Sequence, residues 1–141
     1  MNQSPLRLAR KVYFSSAHFY KNPEWSDEEN KKAFGDCFSE HGHGHNYILE
    51  AEFEGSIDPS TGLVVNLVDI DKILKEVVKP MDHKHLNLDH EAFKAKNPTT
   101  ENIANFLFDE IENSLKSLPV SLTRVRLYEE DDLYVDVYKD D

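Results

Sequence analysis

The sequence predicts an α+β domain, an antiparallel sheet of order β-β-α-α-β-β with two helices on one face, joined to further copies of itself. Three observations predict this. Alternating apolar segments open the chain, two stretches with a 3.6-residue apolar stripe follow, and two more alternating segments close it. At 141 residues a single domain spanning 1–141 is expected, long enough to bury a core.

The first strand runs from about Leu6 to His18, with Leu6, Leu8, Val12, Phe14 and His18 on one face. The stretch Asn22–Asp36 then reads as a long loop. A second strand runs from about His45 to Phe53; Tyr47, Leu49, Ala51 and Phe53 face one way, and Glu50, Glu52 and Glu54 face water. Gly55-Ser-Ile-Asp-Pro-Ser-Thr-Gly62 is turn-rich. Asn66 caps a helix whose stripe is Leu67, Ile70, Ile73, Leu74, Val77 and Val78, ending at Pro80. Thr99 or Thr100 caps the next, lined by Ile103, Phe106, Leu107, Ile111 and Leu115 and stopped by Pro119. Leu122–Glu129 and Leu133–Tyr138 are the closing strands. Such a sheet leaves open edges, which proteins pair or protect, and a symmetric homo-oligomer does so.

The formal net charge of −11 repels nucleic acid and anionic lipid, which are excluded as partners. No apolar run approaches the length of a membrane span, and the amino-terminal residues lack the apolar stretch of a signal peptide. One cysteine, Cys37, agrees with a reducing compartment, so a soluble, cytoplasmic protein is expected. An anionic substrate needs a local positive centre in so acidic a chain, and a divalent metal supplies one.

His41-Gly-His43-Gly-His45 carries the strongest chemical signal. Residues two apart on a strand share a face, so His43 and His45 can reach one ion, while Gly44 between them removes side-chain bulk on the opposite face. His18, ending the apolar face of the first strand, completes a three-histidine set. Zinc accepts imidazole nitrogens at about 2.0–2.1 Å, and three protein ligands leave one position for substrate or water. An exposed His/Gly loop also satisfies the bare motif; the third histidine favours the metal. His41 and His43 form the same pair, but the strand pattern beginning at His45 prefers His43 with His45.

Cys37 lies just upstream. A thiol of pKa ~8.5 becomes a base or nucleophile when a metal or histidine lowers that value, and is inert when simply buried. Glu40 can equally reach the site or lie in solvent. Asp82-His83 follows the first helix; such a pair can orient a proton-shuttling imidazole, though alone it reads as a polar loop. His85 and His90 read as loop or surface histidines. Glu129 follows Thr123, Val125 and Leu127 in parity and so projects inward, where a carboxylate needs partners. Paired N–H donors of a ligand, an arginine, or solvent at the strand end each meet that need.

These motifs together resemble the 6-pyruvoyl tetrahydropterin synthase/6-carboxytetrahydropterin synthase family over almost the whole chain. The resemblance rests on Phe14-Ser-Ser-Ala-His18, Cys37 followed by His43-Gly-His45-Asn-Tyr47, and Gly55-x-Ile-Asp-Pro-x-Thr-Gly62. It continues through Asn66-Leu-x-Asp69, Pro80-Met-Asp-His-Lys84, Pro98-Thr-Thr-Glu-Asn102 and Tyr128-Glu129. It implies the T-fold, an oligomeric barrel of trimers often stacked into hexamers, with sites between subunits. It also implies zinc on His18, His43 and His45, a catalytic thiolate at Cys37, and a proton relay at Asp82 and His83. Glu129 is implied to anchor a pterin ring, with Thr100 and Glu101 near that pocket.

The implied reaction converts 7,8-dihydroneopterin triphosphate to 6-pyruvoyl tetrahydropterin with elimination of triphosphate. Five residues separate Cys37 from His43, the spacing of the pyruvoyl-forming branch; the queuosine-pathway branch, making 6-carboxytetrahydropterin, has three, which His41 also satisfies. Glu40-x-x-His43-Gly-His45 is similar to a variant that cleaves the side chain to 6-hydroxymethyl dihydropterin for folate synthesis. A protein holding zinc or pterin without catalysis is the remote alternative.

Overall fold

The computed structural model describes residues 4–140; residues 1–3 and 141, part of the leaderless start and of the 1–141 span read above, lie outside the described residues. The elements are β1 (Leu6–His18), α1 (Asp27–Phe34), β2 (His43–Gly55), α2 (Leu67–Val78), β3 (Lys84–His85), α3 (Leu86–Asp89), α4 (Thr100–Ser114), β4 (Ser121–Glu130) and β5 (Leu133–Tyr138). They form a mixed five-stranded sheet of order β3-β1-β2-β4-β5. β3 runs parallel to β1, and the other neighbours are antiparallel.

The β-β-α-α-β-β frame is present, with additions. The stretch read as a loop contains α1, a polar helix with little apolar stripe. Its signal is a capping box: the Ser26 hydroxyl accepts from the Glu29 N–H while the Glu29 carboxylate accepts from Ser26. α3 and the two-residue β3 follow Asp82-His83 and are too short to show periodicity. β2 starts at His43, two residues before the expected start. Thr99, not Thr100, caps α4, accepting from the Asn102 N–H at 3.1 Å.

The core lies between one face of the sheet and helices α2 and α4. Tyr47, Leu49, Ala51 and Phe53 of β2 are fully buried against Ile70 and Leu74 of α2 and Ile103, Leu107 and Ile111 of α4. Each large aliphatic side chain so buried contributes about 1.5–3 kcal/mol. β4 departs from simple alternation twice. A bulge opposite Glu52 and Phe53 pairs Leu122 with Phe53 and leaves Thr123 over. Thr123, expected in the inward row, instead donates its hydroxyl to the Glu52 carbonyl and carboxylate, and Leu122 takes the core position. A second skip between Tyr128 and Glu130 leaves Glu129 outside the β5 ladder.

The opposite face is a charged ladder. Arg124 reaches Glu50 at 2.7 Å, Glu52 at 3.2 Å and Asp136 at 3.5 Å, and Arg126 makes a bidentate pair with Asp136 at 2.8 and 3.0 Å. Among the described residues no helix is long and apolar enough to cross a membrane.

Candidate functional site

The register of β1 on β2 sets the histidines together. His18 lies opposite His43, and Ser16 opposite His45, so the last residue of one strand faces the first turn of its neighbour. The rings of His18, His43 and His45 have centroids 4.8–5.0 Å apart. One ligand nitrogen from each lies within 4.8 Å of the others. The glycine that permits this approach is Gly42. At Gly42 φ is +77°, and a Cβ would run into the His18 carbonyl; at Gly44 a Cβ would meet only ordinary contact, 3.5 Å from the Ser16 carbonyl.

His18 is completely buried. Its Nδ1 lies 2.8 Å from the Pro98 carbonyl, an acceptor only, so Nδ1 carries the proton and Nε2 presents a lone pair. Burial, then the neighbouring His43, His45 and His85, push its pKa down to about 4, against the Pro98 bond that raises it. The ring is therefore neutral at pH 7, the form a metal requires. Nε2 of His18 and Nε2 of His45 are both buried without a hydrogen-bond partner. An all-imidazole set with orphaned lone-pair nitrogens fits a borderline divalent metal.

Glu129 joins this group. Its side chain is only 12% exposed, with Oε1 3.1 Å from His45 Nε2 and 3.4 Å from His18 Nε2. Parity foretold the inward direction; the histidine partners depend on the skip in β4 and were not legible. Tyr20, unremarked in the sequence, stands edge-on to His18 at 4.9 Å and is within hydrogen-bonding range of Glu129; burial and then the Glu129, Cys37 and Glu101 charges raise its pKa.

Cys37 ends the short 3₁₀ turn before β2, half-buried, and its carbonyl accepts from the Tyr20 N–H at 2.8 Å. Burial pushes its thiol up, and the Glu129 and Asp36 charges add to this. Thr100 is buried at the start of α4, and Glu101 is exposed beside it. Glu40 is not brought in: its carboxylate is 88% exposed and lies 3.8 Å from His41.

Asp82 and His83 form a pair, Nδ1 to Oδ1 3.0 Å. Asp82 Oδ1 accepts the Ser15 N–H at 2.9 Å and His83 N–H donates back to the Ser15 carbonyl at 2.6 Å. The Ser15 bond, then His83, hold the Asp82 carboxyl below its usual range. His83 adopts φ +59°, a conformation costly for a non-glycine residue and frequent at functional sites. Its exposed ring lines an open cleft of about 430 Å³ that also takes in Ser15, Ala17, Gly44 and Asn46 and reaches His45 of the histidine set. His85, expected at a loop or surface, is instead part of this framework: it is half-buried in β3, and its Nε2 bonds the His41 carbonyl at 3.2 Å, bracing the Gly42 turn.

The family model described as 6-pyruvoyl tetrahydropterin synthase matches residues 7–140. A human protein named 6-pyruvoyl tetrahydrobiopterin synthase is 42% identical over 135 residues, covering 94% of this chain and 90% of its own. A Pyrococcus furiosus protein named dihydroneopterin monophosphate aldolase is 32% identical over 131 residues, covering 93% and 96%. The solved structure of Caenorhabditis elegans 6-pyruvoyl tetrahydropterin synthase superposes with a TM-score of 0.91 at 31% identity, covering 99% of this chain and 100% of that one.

Proposed function

The chain belongs to the 6-pyruvoyl tetrahydropterin synthase family, and from that premise we propose that it converts 7,8-dihydroneopterin triphosphate to 6-pyruvoyl tetrahydropterin, releasing triphosphate, with zinc on His18, His43 and His45. The observation that carries the reading is His18, buried, held neutral and oriented by Pro98 so that its bare Nε2 faces the other two rings. Zinc bound there supplies a Lewis acid that polarises the substrate side-chain oxygens and acidifies the adjacent C–H bonds.

The chain's own residues move the protons. Cys37 takes them from the substrate side chain as a thiolate, a form its burial and the Glu129 charge disfavour until that charge is compensated. Asp82 fixes the His83 ring through Nδ1, leaving Nε2 to give and take protons. In keeping with the sites between subunits that the family resemblance implies, this pair serves the cluster of a neighbouring copy. Assembly through the edges at β3 and β5 into a T-fold barrel, as trimers or stacked trimers, supplies that neighbour. Ring recognition goes to Glu101, with Thr100 beside it. Glu101 is exposed at the favourable N-terminal turn of α4, whereas the Glu129 carboxylate is already turned onto the histidines.

Incubation of the zinc-loaded protein with 7,8-dihydroneopterin triphosphate, followed by mass spectrometry, tests the reading. A pyruvoyl pterin and free triphosphate are expected, and Cys37→Ala lowers turnover by ~10²–10⁴-fold while retaining zinc. A 6-carboxy product would move the protein to queuosine chemistry. A hydroxymethyl product would favour the side-chain-cleaving alternative, which the name of the Pyrococcus relative keeps open but the outward Glu40 does not support. Zinc uptake with no product would leave pterin or zinc binding alone.

A further inference from the structure

Resting on the metal reading above, we propose that His85 is a positioning residue for that metal: its ring clamps the open end of the β1–β2 ladder and so fixes His43 against His18. The ladder stops at His18 opposite His43, which leaves two of the three candidate ligands on its last rung, where the strands part. Strand ends fray most easily, and a metal site tolerates displacements of only about 0.5 Å. Something beyond the ladder has to hold this rung.

His85 occupies that place. Its Nε2 lies 3.2 Å from the carbonyl of His41, a residue 44 positions earlier in the chain and just ahead of His43. Its ring packs on Phe19, the residue after His18, with centroids 5.3 Å apart. One side chain thus touches both segments as they leave the rung. Gly42, at φ +77°, lies so close to the His18 carbonyl that no Cβ fits, and a Cβ there would also stand 3.1 Å from His85 Nε2. The Gly42 N–H goes to the Ser39 hydroxyl at 3.1 Å, a bond within the same turn, so the tie to the rest of the fold comes from His85.

The clamp is itself held in place. β3 sets His85 beside Ala17 of β1, and the His85 N–H donates to the Asp89 carboxylate at 2.9 Å. A carbonyl only accepts, so the ring proton lies on Nε2, and Nδ1 is left buried with no hydrogen-bond partner. An unsatisfied buried nitrogen is costly, and an apolar side chain would avoid that cost. Packing alone therefore does not account for a histidine here; the N–H to His41 does. His85 is no ligand, since it stands outside the group of His18, His43 and His45 whose ligand atoms lie within 4.8 Å of one another.

The test compares wild type with His85→Gln, whose amide N–H reaches as far as Nε2, and with His85→Met and His85→Leu, which keep apolar bulk without a donor. Each is checked for native circular dichroism, and the second apolar variant keeps the comparison intact should the first not fold. Zinc affinity is read by competition with a chromophoric chelator, and urea midpoints are taken on the metal-free proteins. The apolar variants are expected to bind zinc ~10-fold more weakly at wild-type urea midpoints, and His85→Gln to bind as wild type does. Equal affinities throughout overturn the proposal, as does His85→Gln binding as weakly as the apolar pair. A fallen midpoint with unchanged affinity, or loss of the fold in both apolar variants, makes His85 a stability residue and overturns it too. Failure of wild type to bind zinc overturns the metal reading and this inference together.

Discussion

The two faces of one sheet handle polar groups in opposite ways. Towards the helices, His18 and His45 each bury a ring nitrogen with no hydrogen-bond partner; towards the other side, Arg124, Arg126, Glu50, Glu52 and Asp136 compensate one another in a ladder. The ladder stabilises by pairing opposite charges, with Arg124 Nη1 left to an ion pair with Asp136 at 3.5 Å and no hydrogen bond. Against the lowering effect of burial, the Glu50 and Glu52 bonds raise the Arg124 pKa, and the Asp136 bond raises that of Arg126. The histidine face leaves satisfaction to something not part of the chain. Buried groups that a protein declines to pair are the ones positioned to meet a ligand.

Substitutions can break this contrast. His43→Ala should abolish tight zinc binding, a loss beyond ~100-fold in chelator competition, while the metal-free protein keeps its denaturant midpoint, since His43 is only half-buried and anchors no core contact. Arg124→Ala should do the reverse. Removing it leaves Glu50 and Glu52 largely buried without their main cation, and a loss of about 3 kcal/mol in urea unfolding is expected with zinc affinity unchanged.

Acid sharpens the contrast within the site. The folded-state pKa of His18 lies near 4, below the ordinary 6.5, so between these values the unfolded chain binds the extra proton. Stability of the metal-free protein therefore rises with pH across that window, by roughly 3 kcal/mol from this group. His18→Asn should flatten the rise in pH-dependent urea titrations; an unchanged slope would remove His18 as its source. The smallest effect belongs to the exposed Arg10–Asp71 pair at 2.8 Å, where Arg10→Ala should shift the urea midpoint least of these substitutions, and less still in high salt.

What was legible in the sequence follows from periodicity. β1, β2, α2 and α4 each repeat a pattern long enough to read, and the same strand alternation put His18, His43 and His45 on one face. Elements specified by local capping or by partners elsewhere were not legible: α1 rests on Ser26 and Glu29, and β3 exists because Ser15 accepts and donates across to Asp82 and His83. Alternation misled where β4 bulges, misplacing Thr123 and concealing what Glu129 meets. It also gave no indication of where Asp82-His83 would sit, because a loop carries no parity from the strand before it. The close approach at Gly42 was not legible for a related reason: a positive φ there is a property of the turn, which identity alone does not reveal.

The bond from His18 to Pro98 has a consequence for how this site tolerates mutation. Its acceptor is a main-chain oxygen, so any residue at position 98 supplies the same atom, and random change there leaves the imidazole tautomer as it was. Protein engineers wishing to retune the metal through this contact must shift the backbone entering α4 instead, for instance by altering its cap at Thr99. The most consequential hydrogen bond of the site is thus also the one that sequence drift reaches least directly.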